Sequence, residues 1–333
     1  MSYPPKTMNE QHNIAQDSNP IYTPWIHRWL KPRIDFCEKE STYDAKGLCM
    51  LLILFHHIYI KVAYDMGLSV PYIGYILGPG GYLGTGLFFF LSGYGLYHSL
   101  SKQTHLSISY LHTRLMKMFC VYVFAFVLSA TLNCYTIDCY SLIDFFTLTI
   151  PGTTTWFFKV IVVLYIMVYF IFKINMTRKY KVIIISIISL IYYVVAVRYL
   201  PDYWYTSVLC FPMGMIVALK KSWFTTYIQI INCFVFIVCL KLIHRMDMLF
   251  ITAITFCFAT LFVIRYIKIN SKKLNFIGTN SLCFYLFQLA LLKPLMMLLS
   301  NPLLYAGLVT ITVSLLSYIY VRYIEPRINT YVK

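Results

Sequence analysis

The chain has 333 residues, of which 59% are apolar and only 12% are charged, and its formal net charge is +16. A soluble domain carries about a quarter charged residues, so this chain has too few charges to cover a water-facing surface. Its apolar residues occur in blocks of about 17–22, the length that crosses a hydrocarbon core of roughly 30 Å. The composition therefore excludes an ordinary soluble domain and predicts a single all-α, polytopic membrane domain. The basic residues lie mostly between the apolar blocks, which indicates membrane topology and contact with lipids rather than binding to nucleic acid.

The N-terminal segment, residues 1–43, is predicted to be a cytoplasmic tail. Residues 1–40 lack the short apolar core and small-residue cleavage site of a signal peptide, so the apolar block from Gly47 is expected to act as an uncleaved insertion signal. Residues 25–30 mix aromatic and basic side chains, which suits a short helix among lipid headgroups; a partly ordered tail fits equally well. Residues 44–333 are predicted to form the membrane domain.

Ten apolar blocks follow the tail, and each must be helical because lipid offers no partner for an open backbone. With the N-terminus in the cytoplasm, 22 of the 28 lysine and arginine residues fall on the inner side, as the positive-inside rule requires. An odd number of spans would put basic residues of the inner and outer sets on the same side, so this count favours ten transmembrane helices. The expected location is a bacterial-type plasma membrane. The predicted spans are residues 47–64, 82–100, 118–134, 155–173, 182–198, 203–219, 223–241, 248–267, 280–298 and 302–320.

The first span holds the densest group of ionisable residues, and such groups inside a membrane are expensive and mark functional sites. Lys46 and His57 are eleven residues apart, which places them about 20° apart on one helix face with a rise of about 16.5 Å. Lys61 lies one turn beyond His57, whereas His56 points about 100° away. A neutral imidazole can take a proton from a hydroxyl and return it, so His57 is a candidate catalytic residue. From spacing alone, histidines hydrogen-bonded to neighbouring helices fit equally well.

Several motifs occur in a fixed order along the chain. Asp44, Lys46 and His57 match the first helix of the membrane-bound acyltransferase 3 family, whose pattern is Arg or Lys, ten residues and then His, usually with an Asp shortly before. The later segments that resemble the family's motifs are GTGLFFFLSGYGL at 84–96, YLHTRLMKMF at 110–119, WFFKVIVVLY at 156–165 and LNFIGTNSLCFYLFQ at 274–288. Many members end the last motif in His, where this chain has Gln288. Because of this departure, any catalytic role of a histidine is assigned to His57.

The resemblance implies a membrane O-acyltransferase, in the first place an O-acetyltransferase. Its donor would be cytoplasmic acetyl-CoA, and its acceptor a hydroxyl of a cell-envelope or exported carbohydrate or glycolipid. His57 would be the catalytic base or a transient acyl carrier. Lys46, Arg114 and Lys117 would hold the phosphates of the acyl-CoA, although positive-inside topology also puts basic residues there.

Three residues near the predicted outer ends of the transmembrane helices are candidates for binding the acceptor. Lys61 and Lys159 could orient a sugar or could snorkel to the outer headgroups. Trp156 suits carbohydrate stacking or an interfacial aromatic belt. Ser92 and Ser281 lack a nucleophile-elbow pattern and are interpreted as packing residues.

No metal is expected, because the acidic residues are few and form no ligand cluster. The alternative function is a transporter or flippase of a lipid-linked glycan, which would also have intramembrane charges and outer aromatic residues. The Lys46–His57 pair is the feature that favours an acyltransferase, since it points to donor binding and proton transfer.

Overall fold

The computed structural model describes residues 39–331, except for 69–70, 104–106, 134–138, 152, 221–225, 243–248 and 267–268. Every regular element in these ranges is a helix, in agreement with the all-α prediction. The predicted interfacial helix at residues 25–30 lies outside the described residues.

The helices follow one another with short connections. They are α1 (Lys39–Tyr64), α2 (Pro71–Leu77), α3 (Gly80–Ser101), α4 (Ile108–Leu132), α5 (Cys139–Phe146), α6 (Trp156–Lys173), α7 (Arg178–Tyr199), α8 (Cys210–Leu219), α9 (Thr226–Leu242), α10 (Leu249–Tyr266), α11 (Lys272–Thr279), α12 (Ser281–Leu298), α13 (Pro302–Ile319) and α14 (Glu325–Tyr331). A 3₁₀ turn at Asp202–Trp204 precedes α8, and a π-helical segment at Tyr320–Ile324 joins α13 to α14.

Six helical stretches of the described chain are long and apolar enough to cross a membrane. They are Ser41–Tyr64, Ile108–Leu132, Trp156–Lys173, Arg178–Tyr199, Ser281–Leu298 and Pro302–Thr330. Three shorter helical stretches, Cys210–Leu219, Ile228–Cys239 and Leu249–Ile264, are also apolar. Each predicted span overlaps a helix, and the multi-pass character is supported, whereas the count of ten stays a prediction.

The predicted span at residues 203–219 differs from the structure, in which α8 begins only at Cys210. Pro212 explains the shorter helix. A proline inside a helix loses the hydrogen bond to the carbonyl four residues earlier, so it is tolerated in the first turn, where that donor has no partner anyway. The preceding residues instead form the 3₁₀ turn and further turns, and these bring Asp202, Tyr203 and Thr206 to one cavity described below.

Glycine residues allow α11 to cross the N-terminal half of α1 at backbone distance. A Cβ on Gly47 would overlap the carbonyl of Leu274, and a Cβ on Gly278 would overlap the carbonyl of Tyr43. Close approach through glycine is typical of helix pairs in membranes, where packing replaces the hydrophobic effect. This crossing fixes the end of α1 that carries Lys46. Along its length α1 also packs against α3 and α12, and the candidate site forms among these helices, α4 and α6.

Candidate active site

Two cavities lie along α1 and share part of their walls. Their names follow the predicted topology. The inner cavity has a volume of about 180 Å³ and is lined by Lys46, whereas the outer cavity has a volume of about 790 Å³ and is lined by His57. Ile53 and Tyr285 line both of them. The predicted lysine and histidine of the first span therefore lie on opposite sides of a shared wall.

The inner cavity combines an apolar lining with a few polar groups. Lys46, Ser92, Ser281 and Tyr165 supply polar atoms to its wall. Ser92 and Ser281, which the sequence assigns to packing, thus lie on the cavity wall beside the lysine. A mostly apolar pocket with a few convergent polar groups is typical of a ligand site.

Arg114 lies beside the inner cavity, because its guanidinium packs over Tyr165 in the cavity wall. Its guanidinium carbon is 4.9 Å from the ring centroid of Tyr110 and 5.8 Å from that of Tyr165, and one of its nitrogens is 3.5 Å from Ser99 Oγ. Arg114 also interacts electrostatically with Lys46. Within the described ranges, neither cation forms an ion pair. Two neighbouring cations repel each other, so this arrangement favours an anion between them.

Lys117 faces a third cavity, although the sequence places it on the same face of α4 as Arg114. This third cavity has a volume of about 140 Å³ and is also lined by Glu325 and Asn329. Residues three apart on a helix differ by about 60° in direction, which is enough to reach different cavities. The structure therefore places Lys46 and Arg114 at the inner cavity and Lys117 at the third cavity.

His57 is held by the fully buried side chain of Gln288 on α12. Gln288 Nε2 lies 3.1 Å from His57 Nδ1, and Gln288 Oε1 is buried without a partner in the part of the chain that is described. A half-turn of the amide would present its oxygen to Nδ1 instead, and the two orientations select different tautomers of the imidazole. With the amide oxygen at Nδ1, the ring proton sits on Nδ1 and His57 Nε2 is free to accept a proton.

His56 also lines the outer cavity, but its ring is fixed by backbone groups. Its Nδ1 donates to the carbonyl of Leu77 at 2.8 Å, and its Nε2 lies so close to Gly81 that a Cβ there would clash. His56 points about 100° away from His57 around α1, yet both residues line the outer cavity because the cavity is wide. His56 instead ties the end of α2 and the start of α3 to α1.

Tyr285 joins the two cavities to α6. Phe157 is the second residue of α6, and its ring packs edge-on against that of Tyr285, with the centroids 5.3 Å apart. The ring centroid of Tyr285 lies 6.5 Å from that of His57.

The outer cavity has aromatic and hydroxyl groups beyond His57. Trp156 and Tyr203 both line it, with ring centroids 6.1 Å apart. Tyr82 and Thr206 line it too, and among the described residues their buried hydroxyl oxygens have no hydrogen-bond partner. Buried polar groups without partners are costly, so these hydroxyls favour a polar ligand or water in the cavity.

Lys61 and Lys159 do not line the outer cavity. Lys61 Nζ lies 2.8 Å from Asp65 Oδ2 in an ion pair one helical turn away. Lys159 Nζ donates to Thr149 Oγ1 at 2.7 Å. Their predicted roles with the acceptor stay predictions, whereas Trp156 is placed at the cavity.

Sequence reasoning did not select Tyr285 as a site residue, and it treated Gln288 only as a departure from the family pattern. A signal was nevertheless present, because Ser281, Tyr285 and Gln288 follow one another at spacings of four and three in an apolar span. Such spacing places three polar groups on one face of α12. In the part of the chain that is described, no group of three or more His, Cys, Asp or Glu side chains could hold a metal ion.

Comparison with known proteins gives a match over most of the chain. The family model of acyltransferase 3, described as an acyltransferase domain, matches residues 44–322. This range includes every residue that lines the inner and outer cavities. No curated protein and no solved structure matches the chain.

Proposed function

Because the chain belongs to the acyltransferase 3 family, we propose that this membrane acyltransferase moves an acetyl group from cytoplasmic acetyl-CoA to a hydroxyl of a cell-envelope or exported carbohydrate. The shared wall between the inner and outer cavities supports this proposal most directly. A donor and an acceptor that approach from opposite sides of the membrane need two sites that meet at one reacting atom. Ile53 and Tyr285 mark that meeting point.

The inner cavity would bind the donor. Lys46 lines this cavity and Arg114 lies beside it against Tyr165. Neither cation has an ion-pair partner in the described ranges, and phosphate groups are natural ligands of such cations. Positive-inside topology explains cations in a cytoplasmic loop but does not require two of them beside a largely apolar cavity. The apolar part of the inner wall suits the pantetheine arm and the thioester.

The chemical step would take place at the shared wall. His57 Nε2 accepts the proton of the acceptor hydroxyl while the hydroxyl oxygen attacks the thioester carbon. The carbon–sulfur bond then breaks, and the proton passes from His57 to the leaving thiolate of CoA. Positioned acid–base catalysis of this kind contributes about 10²–10⁴-fold to a rate. Tyr285 lines both cavities, and its hydroxyl would hydrogen-bond the carbonyl oxygen as negative charge develops on it.

The outer cavity would bind the acceptor. Its volume of about 790 Å³ is within the usual range of ligand sites, about 300–1,000 Å³. The hydroxyls of Tyr82 and Thr206 have no partner in the described chain and match the many donors and acceptors of a sugar. Trp156 and Tyr203 add aromatic surface against which a sugar ring can pack.

Mass spectrometry of envelope glycans from cells with and without the gene tests this function. We expect the acetylated glycan to disappear without the gene and to return with the wild-type gene. A transporter or flippase would give a different result, since the amount of exported glycan would fall while its acetylation remained. Equal acetylation in both strains would overturn the proposed function.

A further inference from the structure

The third cavity lies at the predicted cytoplasmic end of the molecule, between α4, α12 and α14. Lys117, Glu325 and Asn329 supply polar groups to its wall, as do Thr279 and Asn280. The side-chain oxygen of Asn329 is buried and has no hydrogen-bond partner within the described residues. In the same part of the chain, neither Lys117 nor Glu325 forms an ion pair.

These groups indicate the kind of ligand that the third cavity would accept. A simple anion matches Lys117 but is repelled by the Glu325 carboxylate. A ligand that carries N–H donors and a phosphate satisfies all three groups, because the Asn329 oxygen and the carboxylate accept hydrogen bonds while the ammonium pairs with the phosphate. An amino-substituted nucleotide has both features.

The size and walls of the cavity fit a flat ring. A dry cavity of about 150 Å³ admits benzene, so an open cavity of about 140 Å³ can hold much of a purine base with its ribose and phosphates outside. Met118, Val121, Tyr320 and Ile328 give the cavity an apolar lining. The exposed side chain of Lys117 marks the opening, where phosphates would lie.

The backbone around the cavity has an irregularity that serves this arrangement. The π-helical segment Tyr320–Ile324 interrupts the helix between α13 and α14. Such a segment changes the direction of the side chains that follow, and π-bulges are frequent at functional sites. After it, Glu325, Ile328 and Asn329 follow at spacings of three and one and face the cavity together.

The third cavity is adjacent to the inner cavity. Met118 and Leu282 line both of them. A ligand with a nucleotide at one end and a flexible arm at the other could therefore occupy both cavities by passing these two side chains. Acyl-CoA has this shape.

We propose that the third cavity binds the adenine nucleotide end of the acyl-CoA, with the base at Asn329 and Glu325 and a phosphate near Lys117. The pantetheine arm then passes Met118 and Leu282 and brings the thioester into the inner cavity beside Lys46. This inference rests on the proposed function, because it names the subsite that recognises the donor. The three residues predicted to bind phosphate then fall into two groups. Lys117 contacts the nucleotide end, whereas Lys46 and Arg114 lie nearer the pantetheine arm.

Calorimetric titration of the full-length protein in detergent with coenzyme A and with 4′-phosphopantetheine tests the inference. Wild-type protein should bind coenzyme A at least tenfold more tightly than 4′-phosphopantetheine. Adenosine 3′,5′-bisphosphate should compete with coenzyme A for binding. Asn329→Leu, which keeps the side-chain volume, should weaken coenzyme A binding about tenfold or more and leave 4′-phosphopantetheine binding unchanged. Glu325→Gln should also weaken coenzyme A binding and leave 4′-phosphopantetheine binding unchanged. It provides the same test if the Asn329→Leu protein does not fold. Arg327→Gln is the matched control, because it removes a charge from an exposed position of α14 without touching the cavity.

The outcomes separate the inference from the proposed function. If wild-type protein binds neither coenzyme A nor 4′-phosphopantetheine, the proposed donor is wrong. If it binds both with equal affinity, or if Asn329→Leu and Glu325→Gln weaken both ligands equally, the nucleotide subsite is wrong while the donor stands. A selective loss of coenzyme A affinity in the two cavity variants, but not in Arg327→Gln, establishes the subsite.

Discussion

His57 and Gln288 form the residue pair on which the proposed chemistry depends. Their side chains meet across 231 positions of sequence, at 3.1 Å between ring and amide nitrogens. Gln288 is fully buried, so it holds the imidazole in one position. The Gln288 amide can serve Nδ1 as donor or acceptor, and only the acceptor orientation leaves His57 Nε2 unprotonated for a hydroxyl proton.

Substitution of Gln288 distinguishes these orientations. Gln288→Glu offers only acceptor oxygens, so it should retain His57 as a base and keep most of kcat. Gln288→Leu has a similar size but no acceptor, and a lost hydrogen bond in a buried place costs about 1–3 kcal/mol, so kcat should fall about 5- to 150-fold with the donor KM unchanged. Steady-state kinetics on purified protein would measure both. Full activity in Gln288→Leu, or a greater loss in Gln288→Glu than in Gln288→Leu, would contradict the acceptor role.

Arg114 provides a second test at the scale of single residues. Arg114→Ala should raise the donor KM about ten- to a hundredfold, because a hydrogen bond to a charged group contributes about 1.5–3 kcal/mol. Lys102→Ala is the control, since Lys102 is an exposed basic residue of a predicted inner loop and lines none of the three cavities. An unchanged donor KM in well-inserted Arg114→Ala protein would contradict donor binding by Arg114. The residue would then serve only to orient the protein in the membrane.

At the scale of elements, the crossing of α1 and α11 should be sensitive to a single methyl group. Gly278→Ala places a Cβ against the Tyr43 carbonyl, and overpacking of this kind costs about 1–3 kcal/mol. We expect a lower melting temperature in detergent. Gly307→Ala on α13 is the control, because a Cβ at this position would have no atom within 4 Å and alanine favours helix, so stability should be kept or raised. Equal melting temperatures for the two variants would show that the α1–α11 contact is loose.

The elements also show how far sequence reasoning reaches. The shared face of Lys46 and His57 is predicted from helical period alone, and in the structure the two residues line different cavities beside α1. The predicted start of the span that contains α8 is too early, because apolar composition continues through the turns that precede Pro212. The contact of Gln288 with His57 and the separation of Lys117 from Arg114 depend on how α4, α12 and α14 pack together. Periodicity describes one helix at a time, so it does not predict such contacts.

At the scale of the whole molecule, topology determines which cavity faces the cytoplasm. The basic loops near residues 100–117, 174–181 and 268–279 should lie inside. A cysteine placed at the exposed Asn175 should therefore resist a membrane-impermeant thiol reagent added to intact cells, whereas one placed at the exposed Tyr199 should react. The parent protein, with its own cysteines, gives the background. Labelling at position 175 from outside would contradict the ten-helix topology.

Acetylation by His57→Gln protein tests the central claim, which is that the imidazole at the outer cavity transfers a proton during acyl transfer. Glutamine keeps a polar group able to hydrogen-bond but cannot exchange a proton near neutral pH. Mass spectrometry of envelope glycans from cells that carry the wild-type, His57→Gln or His56→Gln gene, with protein amounts matched in the same membranes, provides the measurement. We predict a loss of about 10²–10⁴-fold in acetylation rate for His57→Gln and a far smaller loss for His56→Gln. Near-normal acetylation with His57→Gln would contradict proton transfer by this residue.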